Sequence, residues 1–507
     1  MNSPQPLSAI PAVWLLPKIA HWAITLRSSL QRGAKKNLPP FFCLQEKGAG
    51  GMSTCMVKAF LRLLLFIPDS HKIGKQANMK CFLGFLLFCN IFPLHGQEFF
   101  SDSFIYTNHI YNDKIKTVQL YREGWNLSYP ILKLNNSEKL IFHFDLLDDQ
   151  AETYYYKFIH CDKDWKKSDI FPNDYFDGYE DNPIEDYEAS FNTTVSYYHY
   201  ELSFPNDMIS LKLSGNYILL IYPIGYPEKP AIIQRFIITE DAVNINITAH
   251  RPQMTKDNNT HQQVDFTVNY TGQNIIDPYR NIYASILQNG RWDNAKNNLK
   301  PDFYGNNELK YNSLSDKNIF KGGNEFRYFD IKSIRYLSEY IKSIDFVIPN
   351  YNVSLSPSGN REFKPYFYWK DFNGKYFIAI QEGQKPNIDA DYVYVYFTLP
   401  SKQMIPEGSI YVSGDLNNWS FDQNNIMTYN QERREYECTM LLKQGWYNYE
   451  YVFLKNGDSD GTASIFEGSH YETENDYTIL IYYRNPRDRY DRIIGSVIAN
   501  TLNRLSN

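Results

Sequence analysis

The sequence predicts an all-β protein of three consecutive immunoglobulin-like or early-set β-sandwiches, followed by a short C-terminal helix. Short runs rich in Val, Ile, Tyr and Phe recur along the chain with period-2 alternation, for example at 139–146, 216–222 and 391–399. Such runs, separated by turn residues, are typical of β-strands in sandwiches. Long amphipathic helical patterns are absent until the end of the chain.

The strand runs predict two boundaries between sandwiches. A closing strand ends near residue 240 and a new strand begins at 243, while Pro400 and Pro406 interrupt strand pairing. We therefore expect sandwiches at 97–240, 241–400 and 401–485. The tail at 486–507 is predicted to form a helix, because its large side chains have helical spacing: Tyr490, Ile493, Ile494, Val497 and Ile498.

The first 96 residues differ from the remainder in charge and composition. They hold 11 Lys and Arg against 2 Asp and Glu, the remainder holds 40 against 55, and all 42 tyrosines follow residue 96. A positive start at Met79-Lys80, an apolar run and the small residue Gly96 predict a signal peptide at 79–96, cleaved near Gly96. Residues 1–78 are then interpreted as a non-native upstream extension, with a basic targeting extension as the alternative.

The acidic larger part argues against a nucleic-acid partner, which requires clustered Lys and Arg. No run of about 18 apolar residues after residue 97 predicts a transmembrane helix. Gly-rich phosphate loops, zinc-ligand spacings and nucleophile motifs are also absent from the sequence. We therefore expect an exported protein that is not an enzyme and uses no cofactor or small-molecule substrate.

One loop near the C-terminus has the spacing of a calcium-binding loop. Asn456, Asp458, Asp460 and Glu467 occupy positions 1, 3, 5 and 12 of the EF-hand pattern. An EF-hand requires flanking helices, whereas the preceding residues 447–454 read as a strand. A polar hairpin turn is therefore the favoured interpretation, and calcium binding is the alternative.

The run Gly414-Asp-Leu-Asn-Asn-Trp419 resembles the corresponding turn of glycogen- and starch-binding modules. In that family the Trp supplies an aromatic platform for a glucose ring, and Trp419 falls on this position. The family's strand Lys is replaced here by Val452, and the hairpin at 455–461 lacks the second aromatic residue. The resemblance implies an early-set fold with Trp419 as a vestigial sugar-site residue.

Several segments together resemble the type IX secretion system plug protein family of Bacteroidota. They are 154–165, 190–200, 367–371, 414–419 and 467–490. The resemblance implies a non-catalytic periplasmic protein at the inner face of the outer membrane. Such a protein binds the translocon barrel of the secretion system and closes its pore when no cargo or shuttle partner is bound. The alternative hypothesis is an exported carbohydrate-binding protein of several β-sandwiches.

The connection that follows the strand at 153–161 is polar and aromatic. Loops at one end of a sandwich commonly carry recognition, and Tyr and Trp provide contact area at small entropic cost. Trp165, Tyr175 and Tyr179 are therefore the predicted contacts with the translocon barrel.

Overall fold

The computed structural model describes residues 106–252, 256–312 and 316–504, which belong to one compact unit. Strands account for 46% of the structure and helices for 6%, so the predicted all-β class is confirmed. The predicted upstream extension at 1–78 and signal peptide at 79–96 lie outside the described residues.

The first sandwich is formed by residues 106–240. Its strands are β1 (His109–Ile110), β2 (Ile115–Arg122), β3 (Ile131–Lys133), β4 (Leu140–Leu146), β5 (Tyr154–Cys161), β6 (Phe176–Gly178), β7 (Asn182–Pro183), β8 (Asp186–Ala189), β9 (Tyr198–Phe204), β10 (Ile209–Leu211), β11 (Gly215–Pro223) and β12 (Ile232–Thr239). One sheet has the order β1-β12-β11-β5-β7, with β3 beside β12, and the other has the order β2-β4-β9-β8. A separate two-stranded ribbon pairs β6 with β10.

The remaining chain forms two more sandwiches. Its strands are β13 (Asn244–His250), β14 (His261–Asn269), β15 (Ile282–Gln288), β16 (Lys296–Leu299), β17 (Phe303–Gly305), β18 (Glu308–Tyr311), β19 (Ile319–Lys321), β20 (Arg327–Asp330), β21 (Ile341–Val347), β22 (Asn350–Leu355), β23 (Tyr376–Ile378), β24 (Tyr392–Pro400), β25 (Gly408–Ser413), β26 (Thr428–Asn430), β27 (Glu435–Lys443), β28 (Gly445–Lys455), β29 (Asp476–Tyr483) and β30 (Arg492–Asn500).

Helices are short throughout the described residues. Single α-turns occur at Pro172–Tyr175, Pro278–Asn281, Pro386–Asp389 and Ser464–Glu467, and 3-10 turns at Asp316–Asn318, Asp415–Asn417 and Thr501–Arg504.

The second sandwich is completed by the C-terminal end of the chain. One of its sheets has the order β13-β14-β18-β17 with β19 beside β14, and the other has the order β16-β15-β29-β30. Side chains of β14, β15 and β29 share one buried core. The polypeptide between residues 327 and 467 is therefore an insertion, and it folds as the third sandwich.

The third sandwich begins earlier than the sequence predicts. Its core combines side chains of β20, β22 and β23 with those of β24, β27 and β28. The predicted boundary near residue 400 does not coincide with a change of sandwich, because Pro400 and Pro406 flank a loop between β24 and β25 of the same core.

The predicted C-terminal helix at 486–507 is wrong. Residues 492–500 form β30, which pairs with β29 in antiparallel register. Ile493 faces the apolar junction with the first sandwich, and its neighbour Ile494 faces the core of the second. Because both faces are buried at the start of the strand, apolar residues follow one another there and imitate helical spacing.

Buried contacts join the three sandwiches. Trp165 and Trp292 meet edge to face at 4.9 Å between the first and second sandwiches. Asp145 of the first sandwich accepts hydrogen bonds from Lys443 Nζ at 2.6 Å and Tyr392 Oη at 2.7 Å, both in the third. Burial alone would raise the pKa of Asp145, but the Lys443 ammonium reverses this and lowers it. The charged network gives this junction a specific geometry.

Candidate interaction surface

Trp165 lies inside the molecule. It is 8% exposed, and the Arg235 guanidinium lies 4.2 Å from the centre of its ring. Its contact with Trp292 places it between two sandwiches. Trp165 therefore fixes the relative placement of these sandwiches and does not present its ring to a partner, contrary to the predicted role.

Tyr175 is also buried, at 5% exposure. It ends the single helical turn Pro172–Tyr175, and its hydroxyl donates a hydrogen bond of 3.1 Å to the Phe158 carbonyl oxygen. Burial raises the pKa of the Tyr175 phenol, which stays protonated at neutral pH. Tyr175 anchors the turn to the first sandwich, so the predicted surface role does not fit this position.

Tyr179 is the predicted contact that does reach the surface, with 71% of the residue exposed. It directly follows β6, whose last residue, Gly178, pairs with Ile209 at the start of β10. Across this ribbon Tyr179 lies beside Met208, which is 52% exposed. Phe171, at the start of the preceding helical turn, is 70% exposed.

Gly178 allows the ribbon to close. Its φ angle is +130°, and a Cβ atom there would lie 2.1 Å from the Met208 carbonyl oxygen. A residue with a side chain would push the two strands apart. The glycine therefore holds Tyr179 and Met208 side by side.

The exposed aromatic residues lie within a strongly acidic stretch. Residues 168–188, here called the acidic aromatic segment, contain eight carboxylates and no Lys or Arg. All eight are exposed: Asp169, Asp174, Asp177, Glu180, Asp181, Glu185, Asp186 and Glu188. Lys212 pairs with Asp177 at 3.0 Å, but the charge of the segment stays negative. Apolar anchors beside such an excess of carboxylates are suited to bind a protein surface with an apolar pocket and a basic rim.

Trp419 is packed between sandwiches. The Arg291 guanidinium of the second sandwich lies 3.9 Å from its ring centre. The Phe326 ring packs against it in a T-shaped arrangement, with 5.7 Å between the two ring centres. Its far edge lies so close to Gly374 that a Cβ atom there would be 2.3 Å from the ring. A cavity of about 260 Å³ adjoins the ring. The Arg291 guanidinium covers a face of the Trp419 ring that a glucose ring requires. Trp419 therefore packs the junction between the sandwiches.

The calcium pattern does not assemble into a calcium loop. Asn456, Asp458 and Asp460 are exposed in the hairpin after β28. Glu467 is 1% exposed and pairs with Arg327 Nε at 2.9 Å and Arg361 Nε at 2.7 Å. Because two guanidinium groups occupy its carboxylate, Glu467 is unavailable as the twelfth ligand.

The pKa of Glu467 reflects these partners. Burial alone would raise this pKa, but Arg327 and Arg361 reverse the effect and hold it below its usual range. The Tyr451 amide also donates to the carboxylate at 2.9 Å. Glu467 is therefore a structural anion of the third sandwich.

A group of titratable residues that sequence reasoning missed lies on β4 and β9. Within the described ranges, His143, His199 and Glu201 bring one potential metal ligand each within 4.8 Å of one another. Burial lowers the pKa of His143, which keeps its imidazole neutral. The available signal was a polar residue at every second position of otherwise apolar strands, in His143-Phe-Asp145 and His199-Tyr-Glu201.

None of the helices in the described part of the chain combines the length and apolar character needed to cross a membrane.

Comparisons with known proteins agree with the architecture. Residues 115–240, the first sandwich, match the family model described as type 9 secretion system plug protein 1st domain. A crystal structure of a hypothetical protein from Parabacteroides merdae ATCC 43184 is 34% identical, with a TM-score of 0.75. The match covers 78% of this chain and 100% of that protein. Among curated proteins, no sequence matches this chain. The chain belongs to the type 9 secretion system plug protein family.

Proposed function

We propose that this chain is a non-catalytic periplasmic plug that binds the outer-membrane translocon barrel of the type IX secretion system. It closes the pore when no cargo or shuttle partner is bound. Membership of the plug family is the observation that carries this proposal. The signal peptide is removed near Gly96 on export, and the mature protein acts in the periplasm at the inner face of the outer membrane.

The architecture supports obstruction of a pore. A large barrel has a lumen too wide for its own side chains to fill, so an idle channel leaks unless a protein covers it. Obstruction requires bulk and a rigid, complementary surface. Three sandwiches joined by buried contacts, such as Asp145 with Lys443 and Arg291 with Trp419, supply the bulk and the rigidity.

The acidic aromatic segment is our candidate for the surface that contacts the barrel. Tyr179 and Phe171 of this segment, with Met208 across the ribbon, supply apolar anchors, and the carboxylates select a basic rim on the partner. Such a charge pattern accelerates association and disfavours wrong partners. The opposing surface of the translocon is therefore expected to expose Lys or Arg around an apolar pocket.

Deleting the chain in its host is expected to make the outer membrane permeable to a large antibiotic that the intact envelope excludes. The physical reason is an open, water-filled pore. The measurement is the minimal inhibitory concentration, with complementation by the intact chain as the control. Unchanged permeability in the deletion strain contradicts plugging.

Replacing Phe171, Tyr179 and Met208 together by serine is expected to reduce affinity for the purified translocon by at least about tenfold, because buried apolar anchors dominate interface energies. The measurement is co-purification followed by titration. The matched control replaces Phe303 and Tyr304, which are 55% and 58% exposed on the second sandwich. Equal loss with both variants, or no loss with the first, contradicts this choice of surface.

A further inference from the structure

The outer face of β4 and β9 carries a square of polar side chains. His143 lies opposite Glu201 in the antiparallel register, and Asp145 lies opposite His199. Because side chains alternate along a strand, all four share one face, while Phe142 and Phe144 of β4 enter the core. The pairing of two strands therefore brings two imidazoles and two carboxylates together.

Three members of this square lie close enough together to share one metal ion. His143, His199 and Glu201 each offer one ligand atom, and these atoms lie within 4.8 Å of one another. The side chains of His143 and His199 are 6% and 10% exposed, whereas that of Glu201 is 42% exposed. The group is enclosed on the imidazole side and open to solvent on the carboxylate side.

Both imidazoles have a buried nitrogen without a hydrogen-bond partner. These atoms are His143 Nδ1 and His199 Nε2. The nearest carboxylate oxygen to His143 Nδ1, Glu201 Oε2, is 3.8 Å away, which is too long for a hydrogen bond. A buried polar atom without a partner is costly, and one cation between these two rings, whose centres lie 5.2 Å apart, would satisfy both nitrogens.

Asp145 determines which nitrogen of His199 is available. Its carboxylate accepts the Lys443 ammonium at 2.6 Å and lies 2.6 Å from His199 Nδ1. Since an ionised carboxylate only accepts, Nδ1 donates to Asp145, and Nε2 is the nitrogen that has a lone pair in the neutral ring. A carboxylate that orients a ligating histidine in this way is a recurrent feature of zinc sites.

We infer that His143, His199 and Glu201 form a binding site for Zn²⁺. Two imidazoles and one carboxylate are a ligand set for zinc, whereas Ca²⁺ and Mg²⁺ prefer oxygen ligands alone. Water completes the tetrahedral shell from the side of Glu201. His199 contacts Asp145, and Asp145 pairs with Lys443 of the third sandwich. Zinc binding to His199 therefore stabilises the junction between the first and third sandwiches.

The test is isothermal titration of the full chain, prepared without a histidine tag and stripped with a chelator, using zinc chloride. We expect one Zn²⁺ per chain and, with Co²⁺ as substitute, the visible absorption of a tetrahedral site. Glu201→Gln and His143→Asn are each expected to weaken zinc binding at least about tenfold.

The control is His109→Asn, which alters an exposed histidine of the same sandwich and is expected to bind zinc like the parent. Circular dichroism verifies that each variant is folded, and Glu201→Gln is the decisive variant because its partly exposed side chain tolerates the change. Absence of stoichiometric binding, or parental affinity in the folded Glu201→Gln variant, overturns the inference.

Discussion

A chain that ends at Asn475 will lose the fold of its second sandwich. Removing β29 and β30 exposes the hydrogen-bonding edge of β15 and deletes the fully buried side chains Tyr477, Ile479 and Ile481. Burial of one such side chain stabilises by about 1.5–3 kcal/mol, and a whole domain is stable by only about 5–15 kcal/mol. The three side chains together therefore contribute about 4.5–9 kcal/mol, which is comparable with the whole stability of the sandwich.

Limited proteolysis with mass spectrometry measures this effect. We expect rapid cleavage of the truncated chain within 244–320, while the first sandwich stays more protected. A chain ending at Arg504, which keeps β29 and β30, is the control and should match the parent. Equal protection of 244–320 in both truncated chains contradicts the assignment of the C-terminal hairpin to this core.

The positions of the strands could be predicted from the local sequence pattern, but which strands pair with each other could not. The alternation in residues 140–146 and 392–400 is a property of each strand and identifies it directly. Partnership depends on contacts distant along the chain: β15 pairs with β29 almost two hundred residues later. A sequence read from end to end suggests consecutive sandwiches, and no local signal marks the insertion at 327–467 that separates these strands.

The candidate site shows the same limit at the level of single residues. Trp165, Tyr175 and Tyr179 are similar amphipathic residues in one connection, and composition alone ranks them equally. Their exposure is decided by neighbours elsewhere in the sequence, namely Arg235 and Trp292 for Trp165 and the Phe158 carbonyl for Tyr175. Tyr179 remains exposed because the β6–β10 ribbon ends beside it.

Glu467→Gln is expected to destabilise the protein by about 3–5 kcal/mol, because it leaves two buried guanidinium groups without a counter-charge. The side chains of Arg327 and Arg361 are only 5% and 11% exposed, so water cannot replace the lost carboxylate charge. The measurement is the urea midpoint of the transition that reports on the third sandwich. The control is Glu437→Gln, which breaks an exposed pair with Arg433 and should cost less than about 1 kcal/mol.

The pH dependence of stability distinguishes this ion network from ordinary packing. Because the folded-state pKa of Glu467 lies below that of an unfolded glutamate, near 4.3, the ionised carboxylate stabilises the fold fully above that pH. As pH falls through the folded-state pKa this contribution is lost. The free-energy difference between parent and Glu467→Gln should therefore shrink on acidification below about pH 4. A difference that is independent of pH would mean that the variant acts through altered packing, since glutamine has nearly the same shape but no charge to titrate.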